Sequence, residues 1–167
     1  VERDRVPYDV GARQGYLTLT EGSVIKLSPI AEVLAEIASR FSLQSVAYDR
    51  YRHRELAMHL SDEGLDIPMR EHPQGFRRQG DNPLWMPSSV QELENAIIEG
   101  RLRVHVNPVL RWNVSSVVIR HDPAGTDNRV VYKRKSTCPI DGVVARAMAV
   151  GAASAVPFTS GEAVEVW

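Results

Sequence analysis

Two aspartates stand at positions where a protein can assemble a metal site. Asp49 directly follows the apolar segment 46–48, which predicts a short strand, and Asp141 opens a predicted helix within Pro139-Ile-Asp-Gly142. Ligands gather at the carboxyl ends of strands in α/β sheets, so Asp49 is well placed. Carboxylates from separate elements can jointly hold Mg²⁺ or Mn²⁺, which prefer oxygen ligands. The alternatives are an N-cap role for Asp49 and a favourable first-turn position for Asp141.

A basic segment precedes Asp141 and makes the metal-site hypothesis more specific. The whole chain has a net charge of -1, yet residues 101–135 carry eight basic and two acidic side chains, a local net charge of +6. Such a local field can bind phosphate, although a solvated arginine-rich surface is the alternative. Two divalent ions about 4 Å apart cleave phosphodiesters by activating a water and stabilising the leaving oxygen. We therefore predict Asp49 and Asp141 as catalytic metal ligands and the following as DNA contacts: Arg120, Arg129, Lys133, Arg134 and Lys135.

Other chemistries lack their sequence signals. His53 and His59 are six residues apart and do not share a helix face, so they make poor metal ligands. The chain has no G-x-S-x-G elbow, no phosphate-binding loop and no dinucleotide fingerprint. We therefore do not expect ATP hydrolysis or dinucleotide binding by this chain alone. The single cysteine, Cys138, excludes a disulfide framework and a cysteine-cluster zinc site.

Length and composition predict one globular domain. The chain has 167 residues, of which 43% are hydrophobic and 25% charged. It contains no apolar run of about 18 residues, and the charged start at residues 1–5 lacks the apolar region of a secretory signal. These features predict a protein that acts away from the membrane, in a reducing, intracellular setting.

The elements that must position these side chains alternate between strands and helices. This alternation predicts an α/β fold with a mixed sheet and helices packed on it. A dense set of turn-forming residues at 122–128 predicts a β-hairpin at about 117–133. Residues 1–27 are expected to be extended, with a strand at 23–27. The remaining predictions are helices at 29–41, 50–63, 89–99 (opened by a Ser89–Glu92 capping box) and 140–153, and strands at 45–48 and 65–71.

Several segments resemble one family along nearly the whole chain. That family is the C-terminal nuclease domain of the large terminase subunit of tailed bacteriophages, which is the DNA-packaging motor. The most specific matches are the block from His105 to Trp112 and the Ile-Asp-Gly-Val-Val-Ala block. The matching segments are Val6-Pro-Tyr8, Gly15-Tyr-Leu-Thr-Leu-Thr-Glu-Gly22, Val46-Ala-Tyr-Asp-Arg-Tyr51, Gln74-Gly-Phe76, Leu93-Glu94, Gly100-Arg-Leu102, His105-Val-Asn-Pro-Val-Leu-Arg-Trp112, Lys133, Lys135 and Ile140-Asp-Gly-Val-Val-Ala145.

The resemblance implies a ribonuclease H-like mixed sheet flanked by helices, with an acidic cluster that binds two Mg²⁺ or Mn²⁺ ions. Asp49 is similar to the cluster's strand-end aspartate and Asp141 to its last-helix aspartate. The family cuts concatemeric double-stranded viral DNA, and an ATPase domain of the same polypeptide drives translocation. The resemblance further implies the terminase small subunit and the portal as partners of the full-length protein. The resemblance also implies that the chain is a phage or prophage protein that acts at the procapsid, in the host bacterial cytoplasm.

One departure from the family keeps alternatives open. The family's first catalytic aspartate lies on an opening strand, and this chain begins after that point, so residues 1–167 are expected to form a single, N-terminally truncated domain. Glu2, Asp4 and Asp9 do not replace that aspartate. A second hypothesis is therefore a catalytically incomplete DNA-binding or docking module that binds through residues 101–135. A third, which ignores the resemblance, is an α/β enzyme acting on a small molecule in a deep pocket.

Overall fold

A computed structural model describes residues 7–155 except 23, 25, 51, 52 and 137. Helices and short strands share this part of the chain, which confirms the predicted α/β class. No helix within these residues is long and apolar enough to cross a membrane. The elements are α1 (Tyr8–Arg13), α2 (Ser28–Arg40), β1 (Val46–Tyr48), α3 (His53–Asp62), β2 (Met69–Glu71), α4 (Met86–Ile98), α5 (Pro108–Ser115), β3 (Ile119–His121), β4 (Arg129–Val131), a 3₁₀ turn (Lys133–Lys135) and α6 (Asp141–Ser154).

The strands form two separate pairs. Strands β1 and β2 are parallel, with Val46 opposite Met69, and β3 and β4 form an antiparallel hairpin with Ile119 opposite Val131. The hairpin prediction is confirmed, with strands shorter than the 117–133 span. Within the described residues the two pairs do not join into one sheet. The ribonuclease H-like mixed sheet therefore stays a prediction.

The chain divides into two compact units. The smaller unit, Leu19–His72, contains α2, β1, α3 and β2, and its core includes Leu27, Ala31 and Leu60. The larger unit comprises the described parts of Val1–Thr18 and Pro73–Trp167 and holds the other elements. The single-domain organisation stays a prediction.

Helix α6 is the centre of the larger unit's core. It packs against α4 and α5, and half of the residues in its alanine- and valine-rich sequence are buried. The approach to α4 is closest at Gly151, where an added Cβ atom would lie 1.9 Å from Ser89 Oγ. A contact this close requires glycine, because any other side chain would displace the facing helix backbone.

Several elements differ from the sequence predictions. Helix α4 begins at Met86, because extended Trp85 is followed by a proline in the first turn, so Ser89 is buried inside the helix instead of capping it. Helices α1 and α5 were not predicted, and the expectation of an extended chain is wrong at residues 8–13. Positions 23 and 25 of the predicted strand at 23–27 lie outside the described residues, and positions 24, 26 and 27 are not in a strand.

Candidate functional site

The structure brings Asp141 together with Lys133. Asp141 is the first residue of α6, and Lys133 lies in the 3₁₀ turn that follows the hairpin. Lys133 Nζ donates to Asp141 Oδ1 at 2.6 Å, and the two side chains are 49% and 72% exposed. A carboxylate and an ammonium group are thus presented side by side to solvent at the start of a helix.

The start of α6 is capped by a residue from another helix. Ile140 occupies the N-cap position and has no side-chain oxygen to accept a backbone hydrogen bond. Instead, Gly142 N–H donates to Asn113 Oδ1 at 2.9 Å, while Asn113 Nδ2 donates to the Val109 carbonyl at 3.1 Å. Asn113 lies on α5 and is buried. It therefore ties the beginning of α6 to α5.

Helix α5 is itself well defined at its beginning. Asn107 caps it by accepting from the N–H groups of Val109 and Leu110 at 2.9 and 3.1 Å, and Pro108 occupies the first helical position. Trp112 packs edge-to-face against Tyr8, with ring centroids 6.3 Å apart. Sequence analysis identified neither α5 nor Asn113, although Asn107 followed by Pro108 is a signal for a helix start.

Asp49 lies in the smaller unit, directly after β1, and its side chain is exposed. At the same carboxyl end of the parallel pair, Arg50 Nε and Nη2 donate to Glu71 Oε1 at 2.9 and 2.5 Å. His53 stacks on Tyr48 with 4.8 Å between ring centroids. The predicted position of Asp49 at a strand end is confirmed, and its catalytic role stays a prediction.

The two aspartates belong to different units, Asp49 to the smaller and Asp141 to the larger. In the part of the chain that the structure describes, no group of three or more His, Cys, Asp or Glu side chains is arranged to hold a metal ion. Asp49 and Asp141 both offer exposed carboxylate oxygens, the ligand type that Mg²⁺ and Mn²⁺ prefer. Their donor chemistry therefore fits the metal that the sequence predicts.

The hairpin presents an arginine between two aromatic rings. The Arg120 guanidinium carbon lies 5.6 Å from the Phe76 ring centroid and 5.1 Å from that of Tyr132, within the range of cation–π contacts. Asn128 Nδ2 donates to the Phe76 carbonyl at 3.3 Å and anchors the hairpin to the preceding loop. Arg120 nevertheless remains exposed. Its guanidinium is thereby held between the two rings.

The other predicted DNA contacts differ in their environments. Arg134 and Lys135 are exposed in the 3₁₀ turn next to Lys133. Arg129 is half-buried and donates to both carboxylate oxygens of Glu94, at 2.9 and 2.6 Å, and to Gln91 at 2.9 Å. Its guanidinium therefore joins β4 to α4.

One shallow pocket bears on the small-molecule hypothesis. It lies in the smaller unit next to α3 and β2, and its volume is about 390 Å³. Its lining is mostly apolar and includes one ionisable side chain, Asp66. A small-molecule active site needs several convergent polar groups, and this pocket does not supply them.

Comparison with known proteins decides the family. Residues 1–156 match the family model described as terminase large subunit, endonuclease domain. The chain belongs to this family. Its relatives in the terminase family include the large subunit of Enterobacteria phage HK97, which is 38% identical over 151 residues. That match covers 90% of this chain and 28% of the relative.

Protein YmfN of Escherichia coli (strain K12) is 32% identical over 140 residues, covering 83% of this chain and 29% of its own length.

The solved crystal structure of the HK97 bacteriophage large terminase has the same fold over most of the chain. The match has a TM-score of 0.79 at 37% identity and covers 90% of this chain and 30% of the solved one. This terminase nuclease chain thus spans less than a third of the length of the relatives it matches.

Proposed function

We propose that the chain is a metal-dependent endonuclease domain of a viral DNA-packaging terminase that cuts double-stranded DNA. The observation that carries the proposal is the exposed Asp141–Lys133 pair at the start of α6, in a chain that belongs to the endonuclease-domain family. Asp49 and Asp141 are the proposed metal ligands. Two bound divalent ions supply an activated water and stabilisation of the leaving oxygen.

The chain's own residues position the DNA. Lys133, beside Asp141, holds the phosphate nearest the cleaved bond, and the exposed cations around it bind neighbouring phosphates. Arg120 is oriented for this task by its two flanking rings. Arg129 contributes by keeping β4 against α4 through Glu94, so that the hairpin cations are presented together. The complete set of proposed contacts is Arg120, Arg129, Lys133, Arg134 and Lys135.

Plasmid cleavage with Mg²⁺ or Mn²⁺ tests the proposed ligands. We expect Asp49→Asn and Asp141→Asn each to reduce cutting by more than about 100-fold, because loss of a ligand exceeds the cost of losing an outer-shell partner. Matched controls are Asp66→Asn in the smaller unit and Asp127→Asn on the hairpin, both exposed acids. The assignment is wrong if both ligand variants cut as fast as the parent.

A catalytically incomplete DNA-binding module is the second candidate. It is supported by the basic residues at 101–135 and by the lack of a three-residue ligand group within the described ranges. It predicts DNA affinity that falls steeply with salt and does not respond to metal, without cutting. A salt series of DNA affinity with and without Mn²⁺ separates the two candidates. Affinity that does not change with salt would eliminate both.

We further propose that the chain works within a longer packaging motor. Its relatives named as large terminase subunits are more than three times its matched length, which supports this view. The proposed substrate is concatemeric viral DNA in the host bacterial cytoplasm, and the proposed partners are the terminase small subunit and the portal. Pull-down of purified small subunit and portal by the full-length protein tests these partners directly.

A further inference from the structure

Asp141 depends on its backbone for its position. Its side chain is 72% exposed, and its hydrogen bond to Lys133 joins it to another exposed side chain. Exposed ion pairs of this kind orient side chains weakly, because solvent screens the attraction and both groups retain mobility. The location of the carboxylate is therefore set by the first turn of α6.

That first turn is held at Gly142 by Asn113. Asn113 is buried, with 5% of the residue exposed, and both ends of its side-chain amide are hydrogen-bonded, the oxygen to an N–H group and the nitrogen to a carbonyl. Rotating the amide by half a turn would place donor against donor and acceptor against acceptor. The Asn113 oxygen is thus aimed at one place, the amide next to Asp141.

Gly142 makes this approach possible. A Cβ atom added there would lie 3.0 Å from Asn113 Oδ1 and 3.6 Å from Leu110 Cδ1. An alanine would therefore push the asparagine away by a few tenths of an ångström. The short contact between the two helices is specific to the residue pair Asn113 and Gly142.

We infer that Asn113 is a positioning residue for Asp141, acting through the Gly142 amide to hold the carboxylate where it can bind a divalent metal. The inference rests on the proposed function, since it takes Asp141 to be a metal ligand. Residues that orient metal ligands from outside the ligand shell typically contribute 10- to 100-fold to metal affinity or activity.

Three variants separate positioning from general stability. Asn113→Leu removes the cap at similar volume. Gly142→Ala keeps Asn113 but displaces it, and the higher helix propensity of alanine offsets part of the resulting loss of stability. Ser116→Ala is the matched control, because Ser116 is buried directly after α5 and its hydroxyl donates to the Trp112 carbonyl, away from Gly142.

Two measurements decide the inference. We expect the dissociation constant for Mn²⁺, followed by electron paramagnetic resonance of the free ion, to rise about tenfold in Asn113→Leu and Gly142→Ala and to stay near the parent value in Ser116→Ala. We also expect the Gly142 amide, measured by NMR without metal, to exchange about tenfold faster in Asn113→Leu. Equal Mn²⁺ affinities in Asn113→Leu and Ser116→Ala, or unchanged Gly142 exchange, would overturn the inference.

If the proposed function is wrong, the same Mn²⁺ titrations give a different result. In that case the parent and Asp141→Asn bind Mn²⁺ equally or not at all, and the inference falls with the ligand assignment. If Asp141→Asn loses Mn²⁺ while Asn113→Leu retains it, the metal site stands and the positioning role of Asn113 is rejected.

Discussion

Lys133 and Asp141 are joined by a 2.6 Å hydrogen bond between Nζ and Oδ1, across the eight positions that separate the basic turn from α6. Lys133 thus contacts the Asp141 carboxylate, which is proposed to bind metal. It also belongs to the group of basic residues that is proposed to bind phosphate. Its positive charge favours an approaching phosphate and disfavours an approaching divalent cation. Under the proposed function, the pair would therefore couple metal binding to DNA binding.

Replacing Lys133 separates these two effects. In Lys133→Met we expect Mn²⁺ to bind about two- to fivefold more tightly, in keeping with the modest energy of an exposed ion pair. DNA should bind more weakly, and the slope of log affinity against log salt should become shallower by about 1. Lys135→Met, which removes the same charge from the same turn, should change the salt slope alone. Equal Mn²⁺ affinities in both variants would contradict the coupling.

Arg120 and Arg129 are hairpin arginines in different environments, so we expect their variants to differ in stability. Arg120→Ala should weaken DNA binding and reduce the salt slope by about 1, with unfolding free energy within about 0.5 kcal/mol of the parent. Arg129→Ala should lower the free energy of unfolding by about 1–2 kcal/mol, because it leaves Glu94 without its two hydrogen bonds. Urea unfolding and DNA titration measure the two quantities. Arg120 is not a DNA contact if its variant binds with the parent's salt slope.

Local signals were enough to predict several elements of the fold. Helix α2 follows from apolar residues at helical spacing, and the hairpin follows from the turn residues between β3 and β4. The true start of α4 was not predicted, because the Ser89–Glu92 pattern imitates a capping box inside the helix. Ser89 is buried there against Gly151, a residue far along the chain, and no local pattern reports such a contact.

The candidate site was predictable to a similar extent. Asp49 and Asp141 could be located because a strand end and a helix start are local features. The cap that Asn113 provides to Gly142 spans 29 positions, and the pairing of Arg129 with Glu94 spans 35. Both depend on how elements distant in sequence pack together, so the sequence alone revealed neither the Arg129–Glu94 pair nor the role of Asn113.

Gly151 should tolerate substitution poorly. Gly151→Ala would place a Cβ atom 1.9 Å from Ser89 Oγ and 2.6 Å from Ser89 Cβ, so we expect a loss of about 1–3 kcal/mol in unfolding free energy by urea denaturation. Adding Ser89→Gly should recover part of this loss by removing both atoms. Gly75→Ala is the control, since nothing lies within 4 Å of its added Cβ. A parent-like stability of Gly151→Ala would show that α4 and α6 can separate freely.

Asp122 makes the hairpin turn sensitive to acid. The Ala124 N–H donates to Oδ1 at 3.0 Å and the Thr126 hydroxyl to Oδ2 at 2.7 Å, and these bonds lower the pKa of Asp122 from its ordinary value of 3.8. Because the unfolded state takes up its proton at higher pH, this contribution to stability is complete above pH 3.8. It is lost as pH falls through the lowered pKa.

NMR titration of the Ala124 amide checks this prediction. Its chemical shift should change with a midpoint below 3.8 in the parent, and Thr126→Val should move the midpoint upward because one stabilising hydrogen bond is gone. A parent midpoint at or above 3.8 would show that the turn does not stabilise the carboxylate.

Helix α6 is held at two points, by the Asn113 amide at Gly142 and by the close approach of Ser89 at Gly151. These points are separated by roughly 13 Å of helix rise. Sliding α6 along its axis, or turning it about that axis, would break both contacts at once. Any motion of the helix that preserves both contacts would have to carry α4 and α5 with it. The freedom that is left to the Asp141 carboxylate is rotation about its own two side-chain bonds.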